Sequence, residues 1–274
     1  MYRRVGIIGG TGKMGSWLAA LFKSQGLEVI CCGKSTPLKP RDIAGMSDVV
    51  VLSVPIRETT DLIDQVGPLI PKEALFMDLT SIKAEAMAGM LRQSRSEVVG
   101  LHPLFGPRAP GERTGLKVAV CRGRGKDGLN WIISVLEAAG LKPLLVDPLV
   151  HDHLMGIIQG VQHFAMIGLG LFIMRSNCPL DDLMEYATPS FSQTIERIQA
   201  MLAQPSELFG PLMMDNPFSS NFILSYMESL ENLQNIIRNK DMDSFIDLFV
   251  SLRRYFETEG MEHETGMGEG GSLG

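Results

Sequence analysis

Short apolar runs alternate with helical periodicity along the first 150 residues of the chain. Runs rich in β-branched residues and bounded by turn residues are typical of strands buried on both faces, and apolar positions three and four apart indicate helices. Strands are predicted at residues 5–8, 28–32, 48–55, 75–78, 97–102, 116–121 and 142–146, and helices at residues 14–22, 58–66, 84–93 and 129–139. A proline-marked link is expected at residues 37–40. Because strands and helices alternate, we predict an α/β fold with a doubly wound, mostly parallel sheet.

From residue 151 onward the strand signal is absent and the helical periodicity continues. Helices are predicted at residues 152–174, 180–186, 190–202, 206–214, 221–238 and 242–259. We therefore predict an α/β domain over residues 1–150 and an all-helical domain over residues 151–260. Residues 261–274 are rich in glycine and glutamate, and we expect them to form a disordered tail.

One apolar run, Leu154–Met174, is long enough to suggest a transmembrane helix. Gln159, Gln162 and His163 lie in its middle, however, and polar side chains are costly inside a bilayer. We therefore expect a buried helix and no membrane partner. This run and Phe245–Phe256 carry more apolar surface than a helical domain of about 110 residues hides by itself, so we expect a homodimer.

Composition narrows the class of protein. Of 274 residues 45% are hydrophobic and 20% are charged, and the net charge is −6, which argues against nucleic acid or an anionic membrane as the main partner. The four cysteines show no metal-ligand spacing, and nothing completes a ligand set around His151 and His153, so no metal is expected. The first strand begins almost at once, without a signal peptide, and we expect a cytoplasmic protein.

The stretch Val5–Gly15 has the order strand, glycine turn, helix. Its G-x-G-x-x-G spacing is supplied by Gly10, Thr11, Gly12, Lys13, Met14 and Gly15. The glycines permit a tight turn and a close approach of the backbone to a pyrophosphate, which the N–H groups at the helix start attract. The motif predicts a dinucleotide site for NADP or NAD. The alternative is a strand-to-helix turn without a ligand.

The end of the second strand bears on which nicotinamide cofactor is used. An NAD site usually places an acidic residue there, about 20 residues after the glycine loop, to bind the ribose 2′-hydroxyl. This chain has Gly33, Lys34 and Ser35 instead. A missing carboxylate and an added cation favour NADP over NAD. The alternative is that Lys34 is a solvated turn residue and NAD binds through its other contacts.

Ligands of an open α/β sheet bind beyond the carboxyl ends of the strands. Three predicted strands end in candidate segments, which are Ser53-Val54-Pro55, residues 78–83 and residues 102–107. The first of these segments is expected to contact the cofactor. His102 precedes Pro103, which disfavours helix, so its imidazole is placed to face the cofactor crevice. The alternative for a lone histidine is a surface position in a proline-rich loop.

The sequence resembles the prephenate dehydrogenase family in five runs. These are G-G-T-G-K-M-G at 9–15, S-V-P-I at 53–56, D-L-T-S-I-K at 78–83, G-L-H-P-L-F-G-P at 100–107 and H-D-H-L-M-G-I-I-Q-G-V-Q-H-F at 151–164. The resemblance covers residues 4–259 and implies a Rossmann domain followed by an all-helical dimerisation domain. It also implies oxidative decarboxylation of prephenate to 4-hydroxyphenylpyruvate in tyrosine biosynthesis, with hydride passing from C4 to a nicotinamide.

The resemblance also implies roles for three residues near the strand ends. His102 takes the role of the catalytic histidine, which removes the proton of the C4 hydroxyl as hydride leaves. A neutral imidazole suits this task because its pKa lies close to the working pH. Ser81 matches a serine that helps to hold His102 and the hydroxyl, and Lys83 matches a lysine near the substrate crevice.

Three residues of the helical half are further candidates for substrate binding. Gln159 and His163 lie four apart on one helical face, and His163 matches a family histidine near the active site. The alternative for both is a hydrogen-bonded place in a dimer core. Prephenate carries two carboxylates, and the family places an arginine after an A-x-P motif, here Ala187-Thr188-Pro189. Arg197 is the candidate, although its spacing to Pro205 is longer than in the family, and a solvated helix face is the alternative.

Two other functions stay open. Arogenate dehydrogenase is the nearest alternative, because arogenate differs from prephenate only in carrying an amino acid side chain in place of the keto acid. The second alternative is a nucleotide-binding regulatory module that kept the fold and lost the chemistry. His102, Ser81 and Lys83 argue against this second alternative.

Overall fold

A computed structural model of the chain describes residues 2–106 and 114–265, with side chains to residue 257. These residues contain seven strands: β1 Arg4–Ile8, β2 Glu28–Cys32, β3 Val49–Leu52, β4 Leu75–Asp78, β5 Glu97–Pro103, β6 Lys117–Arg122 and β7 Lys142–Leu145. Each strand lies where the apolar runs predicted one.

The strands form one sheet in the order β2-β1-β3-β4-β5-β6-β7. Neighbouring strands are parallel except β5 and β6, which are antiparallel. The predicted doubly wound, mostly parallel sheet is confirmed. Because β1 lies between β2 and β3, the chain switches sides of β1 after β2, and a crevice opens beyond the carboxyl ends of β1 and β3.

Five helices cover the sheet: α1 Lys13–Ser24, α2 Pro40–Met46, α3 Ile56–Val66, α4 Ala84–Gln93 and α5 Asp127–Ala138. Successive residues of β3 point into two separate hydrophobic clusters. Val49 and Val51 pack with residues of α1 and α5, whereas Val50 and Leu52 pack with residues of α2, α3 and α4. Both faces of the sheet are therefore buried, which explains the continuous apolar runs. Each fully buried aliphatic side chain contributes about 1.5–3 kcal/mol.

Helix α2 was not predicted, because its prolines indicated a link. Pro40 is its first residue, a position where a missing N–H leaves no helical hydrogen bond unmade.

The helical half follows β7 directly. Its elements are α6 Pro148–Met155, a π-helical segment Gly156–Val161, α7 Gln162–Arg175, α8 Leu180–Glu185, α9 Pro189–Leu202, α10 Ser206–Met214, α11 Ser219–Asn239 and α12 Met242–Thr265. The predicted helices are confirmed. The π-helical segment was not predicted. A side chain at Gly160 would come within 2.3 Å of the Ser219 hydroxyl, so glycine allows this close approach.

The chain divides into two compact units, Met1–Phe222 and Ile223–Gly274. The change from strands to helices occurs between Leu145 and Pro148, but a domain boundary near residue 150 stays a prediction. Helix α12 continues to Thr265, so residues 261–265 are helical and do not belong to a disordered tail. Residues 266–274 lie outside the described residues.

The expectation that the apolar run after residue 150 is a buried helix is wrong for a single chain. Pro148–Arg175 is long and apolar enough to cross a membrane, yet only 6% of its most apolar window is buried. No residue of α7 is buried. His151 and Asp152, in contrast, are buried in α6, at exposures of 1% and 0%. The run thus begins inside the protein and then presents an apolar surface.

Candidate active site

The glycine loop between β1 and α1 is held against the end of β2. The N–H groups of Gly9 and Gly10 donate to the Cys32 carbonyl at 2.8 and 3.1 Å. Side chains do not fit here, since a Cβ at Gly10 would lie 2.5 Å from Cys31 Sγ and one at Gly15 would approach the Gly9 carbonyl oxygen. The loop ends at the first turn of α1, which holds no acidic residue. This cradle with a helix N-terminus suits the pyrophosphate of a dinucleotide.

A cleft of about 380 Å³ opens beside this loop. Its lining includes residues predicted as cofactor-binding, namely Gly12, Lys13, Met14, Ser53, Val54 and Pro55. Ser81, predicted as catalytic, lines the same cleft together with Leu79 and Thr80. The structure therefore brings the glycine loop and the segments after β3 and β4 together.

The link between α9 and α10 forms another wall of this cleft, through Gln204, Pro205, Glu207 and Leu208. Sequence reasoning missed these residues. Their only signal was Pro205, which marks a helix break and does not indicate where the break lies in space.

The end of β2 lies directly beside the glycine loop. A Cβ at Gly33 would come within 2.1 Å of the Thr11 hydroxyl oxygen. Lys34 is paired with Glu58 of α3, with 3.3 Å between Nζ and Oε1, while its side chain remains 91% exposed. Ser35 is exposed next to it. The predicted cation is therefore present beside the loop, and it is shared with a carboxylate.

His102 lies at the carboxyl end of β5 and is only 4% exposed, so the surface position considered from the sequence is excluded. Its Nδ1 is 2.9 Å from Nε2 of His151. The other ring nitrogen of His151, Nδ1, is 2.8 Å from Oδ1 of Asp152. Sequence reasoning missed His151 and Asp152 as partners of His102. The adjacent H-D pair at the start of a helix was visible, but not its contact with a strand.

Asp152 is the most heavily hydrogen-bonded carboxylate of this site. Its Oδ1 accepts from the Lys83 N–H at 2.7 Å, and its Oδ2 accepts from the Ala84 N–H at 2.8 Å. These two amides open α4. The Asp152 carbonyl accepts from the Asn216 side chain at 2.9 Å. Asp152 therefore connects α4, α6 and the residues before α11.

Lys83 is not placed as predicted. Its side chain is 0% exposed, its ammonium forms an ion pair with Asp78, and it donates to the Leu101 carbonyl at 2.8 Å. The structure corrects the expectation that Lys83 binds substrate, because its donors are turned into the protein. Its ammonium nevertheless lies near His102, because Leu101, whose carbonyl it contacts, directly precedes His102 in β5.

Burial and neighbouring charges shift two pKa values in this region. The pKa of His102 lies well below its ordinary value, chiefly because burial disfavours a charged imidazole, and the positive charge of Lys83 acts in the same direction. Burial raises the pKa of Asp78, although Lys83 acts in the opposite direction. His102 is accordingly a neutral imidazole, the form that accepts a proton.

The three remaining candidates have different surroundings. Oε1 of Gln159 and Nδ1 of His163 are buried without a hydrogen-bond partner among the described residues. The ring of His163 meets Phe209 edge-on, at 4.9 Å between centroids, and burial lowers its pKa. Arg197 is exposed on α9, next to the buried Ile198, and does not line the cleft.

No group of three or more histidine, cysteine, aspartate or glutamate side chains with the arrangement of a metal site is found in the described part of the chain.

Two family models match the chain. Residues 33–120 match a model described as prephenate dehydrogenase, nucleotide-binding domain, and residues 147–251 match one described as prephenate dehydrogenase, dimerization domain. Together they cover more than half of the chain. The glycine loop lies before the first match.

Curated relatives carry related descriptions. A probable arogenate/prephenate dehydrogenase of Methanocaldococcus jannaschii is 28% identical over 275 residues, covering 93% of this chain and 61% of the relative. A T-protein of Haemophilus influenzae is 28% identical over 253 residues, covering 92% of this chain and 67% of the relative. The chain thus spans about two thirds or less of their lengths.

Solved structures show the same fold. Prephenate dehydrogenase from A. aeolicus, in complex with hydroxyphenyl propionate and NAD+, superposes with a TM-score of 0.70 at 18% identity, over 96% of this chain and 98% of that chain. Synechocystis arogenate dehydrogenase gives a TM-score of 0.72 at 18% identity, over 96% and 100%.

Replacing Lys83 by methionine is predicted to destabilise the protein by about 3 kcal/mol at pH 8, since it leaves the buried Asp78 carboxylate without its cation. The loss should shrink at pH 5. A carboxyl group whose pKa is raised in the folded state adds stability at low pH and loses it as the pH rises, because the unfolded state then releases its proton more readily. Urea unfolding at both pH values measures this effect.

Lys72→Met is the control for this prediction, because Lys72 is an exposed lysine. It should change the free energy of unfolding by less than about 0.5 kcal/mol. An equal loss for both variants, or a loss for Lys83→Met that does not depend on pH, contradicts the assigned ion pair.

Proposed function

The chain belongs to the prephenate dehydrogenase family, and from this membership we propose that it catalyses the NAD(P)-dependent oxidative decarboxylation of prephenate to 4-hydroxyphenylpyruvate. One observation carries the proposal beyond the family match. A buried, neutral histidine, His102, lies at the end of β5, next to β4, and the residues after β4 line the cleft of the glycine loop. A base therefore stands beside the site for a hydride acceptor.

The proposed reaction begins with the C4 hydroxyl of the substrate. His102 accepts the hydroxyl proton while hydride leaves C4, which converts the alcohol carbon to a carbonyl carbon. The ring carboxylate then leaves as carbon dioxide, and its bonding electrons make the ring aromatic with the negative charge on the C4 oxygen. His102 returns its proton to that oxygen. The histidine is thus regenerated, and Ser81 is proposed to hold the hydroxyl through its own side chain.

The residues present fit a nicotinamide dinucleotide. Gly10 and Gly15 form a cradle that a Cβ would fill, and the first turn of α1 offers free N–H groups to the phosphates. Lys13, Met14 and Ser53–Pro55 are proposed to flank the cofactor along the cleft. When bound, the oxidised nicotinamide supplies the acceptor for the hydride.

Substrate contacts are proposed for residues of the helical half. The unpartnered polar atoms of Gln159 and His163 support a role for both, because buried polar groups are normally hydrogen-bonded and a bound substrate provides partners. Arg197 has no ion pair among the described residues and keeps its guanidinium free for a carboxylate. Since it lies away from the cleft of its own chain, we propose it for the cleft of a second copy.

Arogenate is the alternative substrate, and a catalytically silent nucleotide-binding module is the alternative of another class. Purified protein mixed with prephenate or arogenate and NADP+ or NAD+, followed by absorbance of the reduced nicotinamide, separates them. Turnover of one substrate supports an enzyme and shows whether that substrate carries the keto acid or the amino acid side chain. Tight cofactor binding without turnover of either substrate supports the silent module.

Replacing His102 by asparagine is predicted to lower kcat by at least about 10²-fold, since it removes the base with little change in volume. Cofactor affinity should change little. The neighbouring His153→Asn is the matched control and should keep kcat. In the wild type, kcat should stay level as the pH falls through about 6.5, the ordinary pKa of histidine, because the lowered pKa keeps His102 neutral there. A near-normal kcat for His102→Asn would overturn the assignment.

NADP is proposed as the favoured cofactor, with NAD as the alternative. Lys34 offers its ammonium to a 2′-phosphate, while the pairing with Glu58 weakens this attraction. We predict that Lys34→Ala lowers kcat/KM for NADP+ by about fivefold to tenfold and leaves that for NAD+ within about twofold, and that Glu58→Gln raises kcat/KM for NADP+. A wild-type preference for NAD+ of about tenfold or more contradicts the proposal. An acid placed at Gly33 is a poor test, because its Cβ would meet Thr11.

We also propose that the protein works as a cytoplasmic homodimer. The match to a dimerization domain supports it, as do exposed apolar side chains of α7 such as Leu171, Phe172 and Met174. Sedimentation velocity at low micromolar concentration is predicted to give twice the 30.0 kDa of one chain. Phe172→Glu should produce monomers, and Gln199→Glu on α9 is the control. A folded wild-type monomer at that concentration contradicts the proposal.

A further inference from the structure

Two buried residues beside His102 have no part in the proposed reaction so far. His151 and Asp152 continue the line of hydrogen bonds that begins at Nδ1 of His102, with separations of 2.9 and 2.8 Å. All three side chains are almost completely buried, at exposures of 4%, 1% and 0%. Water therefore has little access to these contacts, and the direction of each hydrogen bond must be set by the groups themselves.

The hydrogen bonds of Asp152 determine which atom donates in each of these two contacts. Asp152 accepts backbone N–H groups of Lys83 and Ala84, at the N-terminus of α4, and a helix N-terminus favours an ionised carboxylate. An ionised carboxylate only accepts hydrogen bonds, so Nδ1 of His151 must carry the proton between them.

The proton position on His151 also determines the direction of its hydrogen bond with His102. In the neutral form of His151 this proton leaves only a lone pair on Nε2, so Nε2 accepts. The donor in the contact with His102 is then Nδ1–H of His102. In a neutral His102 the proton on Nδ1 leaves Nε2 with a free lone pair.

We infer that His151 and Asp152 are positioning residues that hold His102 in the tautomer whose Nε2 is the catalytic base. When Nε2 takes the substrate proton, the charge gained by the imidazole is met at Nδ1 by His151 and, beyond it, by the Asp152 carboxylate. Asp152 thereby links the base to the start of α4. The catalytic part of this inference rests on the proposed function, whereas the tautomer does not.

Two substitutions of His151 separate this role from packing. Glutamine places an acceptor near the position of the imidazole Nε2, so His151→Gln keeps a partner for His102. Asparagine is one methylene shorter and places its amide near Nδ1, so His151→Asn keeps a partner only for Asp152. We expect His151→Gln to retain kcat within about tenfold of the wild type and His151→Asn to lose at least about 10²-fold, with KM changed by less than about threefold in both.

Asp152→Asn tests the direction of the line. Either orientation of its amide sets an NH2 group against the backbone N–H of Lys83 or Ala84, and the negative charge that fixes the His151 proton on Nδ1 is lost. We expect kcat to fall by at least about 10²-fold while the cofactor dissociation constant stays within about threefold. Equal kcat values for His151→Gln and His151→Asn, or a near-normal kcat for Asp152→Asn, overturn the inference.

Nitrogen-15 NMR of the histidine rings gives a readout independent of turnover. His102→Asn and His151→Gln identify the signals by their absence. We expect the proton of His102 on Nδ1 in the wild type and a mixture of both tautomers in Asp152→Asn. A wild-type protein with this tautomer but without turnover of prephenate or arogenate refutes the proposed function and leaves the tautomer assignment standing. A wild-type His102 protonated on Nε2 refutes the inference, whether or not the enzyme is active.

Discussion

A buried carboxylate is costly unless hydrogen bonds replace its hydration, and Asp152 meets this constraint with two backbone N–H groups at the start of α4 and the His151 ring of α6. The hydrogen bonds that satisfy Asp152 have two consequences. Satisfying Asp152 fixes the start of α4 relative to α6, and it also determines which nitrogen of His151 bears a proton. The position of His102 is then coupled to the same carboxylate through one imidazole. Local structure, packing and the state of the proposed base therefore depend on one buried charge.

A second buried carboxylate, Asp78, lies at the end of β4 and is stabilised by an ion pair. Asp78 is neutralised by Lys83, and the chain makes room for them with Gly100, where a Cβ would lie 3.3 Å from both side chains. Lys83 thus contributes twice, through its ammonium to Asp78 and through its backbone amide to Asp152. Its positive charge also lowers the pKa of His102. We interpret the segment after β4 as the part of the protein that keeps the proposed base neutral and in place.

Periodicity and local motifs predicted much of this structure. The apolar runs located the strands, since a strand buried on both faces allows few polar residues. The glycine spacing and His102 could be placed because a parallel sheet collects its strand ends at one edge, and that rule needs no knowledge of side-chain contacts. Ser53–Pro55 and Ser81 share a cleft for the same reason.

The features that sequence reasoning missed depend on contacts between distant segments. Lys83 was expected near the substrate crevice because it matches a lysine of the family motif. Lysines are rarely buried, but Asp78 provides the partner that allows burial of Lys83. The proposed role of His151 and Asp152 depends on contact with His102, about 50 residues earlier in the chain, and local sequence does not reveal that contact. Burial of α7 was expected from its composition, yet apolar composition does not distinguish a core from an interface with a second chain.

In the proposed reaction, Nε2 of His102 is the base that receives the substrate proton. A crystal structure of the protein with an oxidised nicotinamide dinucleotide and 4-hydroxyphenylpyruvate tests this most directly. The product hydroxyl is predicted to lie within about 2.6–3.2 Å of Nε2 of His102, with Nδ1 still hydrogen-bonded to His151 and the pyrophosphate over Gly10–Gly15. A product whose hydroxyl lies away from His102, or a His102 that turns Nδ1 to the product, would contradict it.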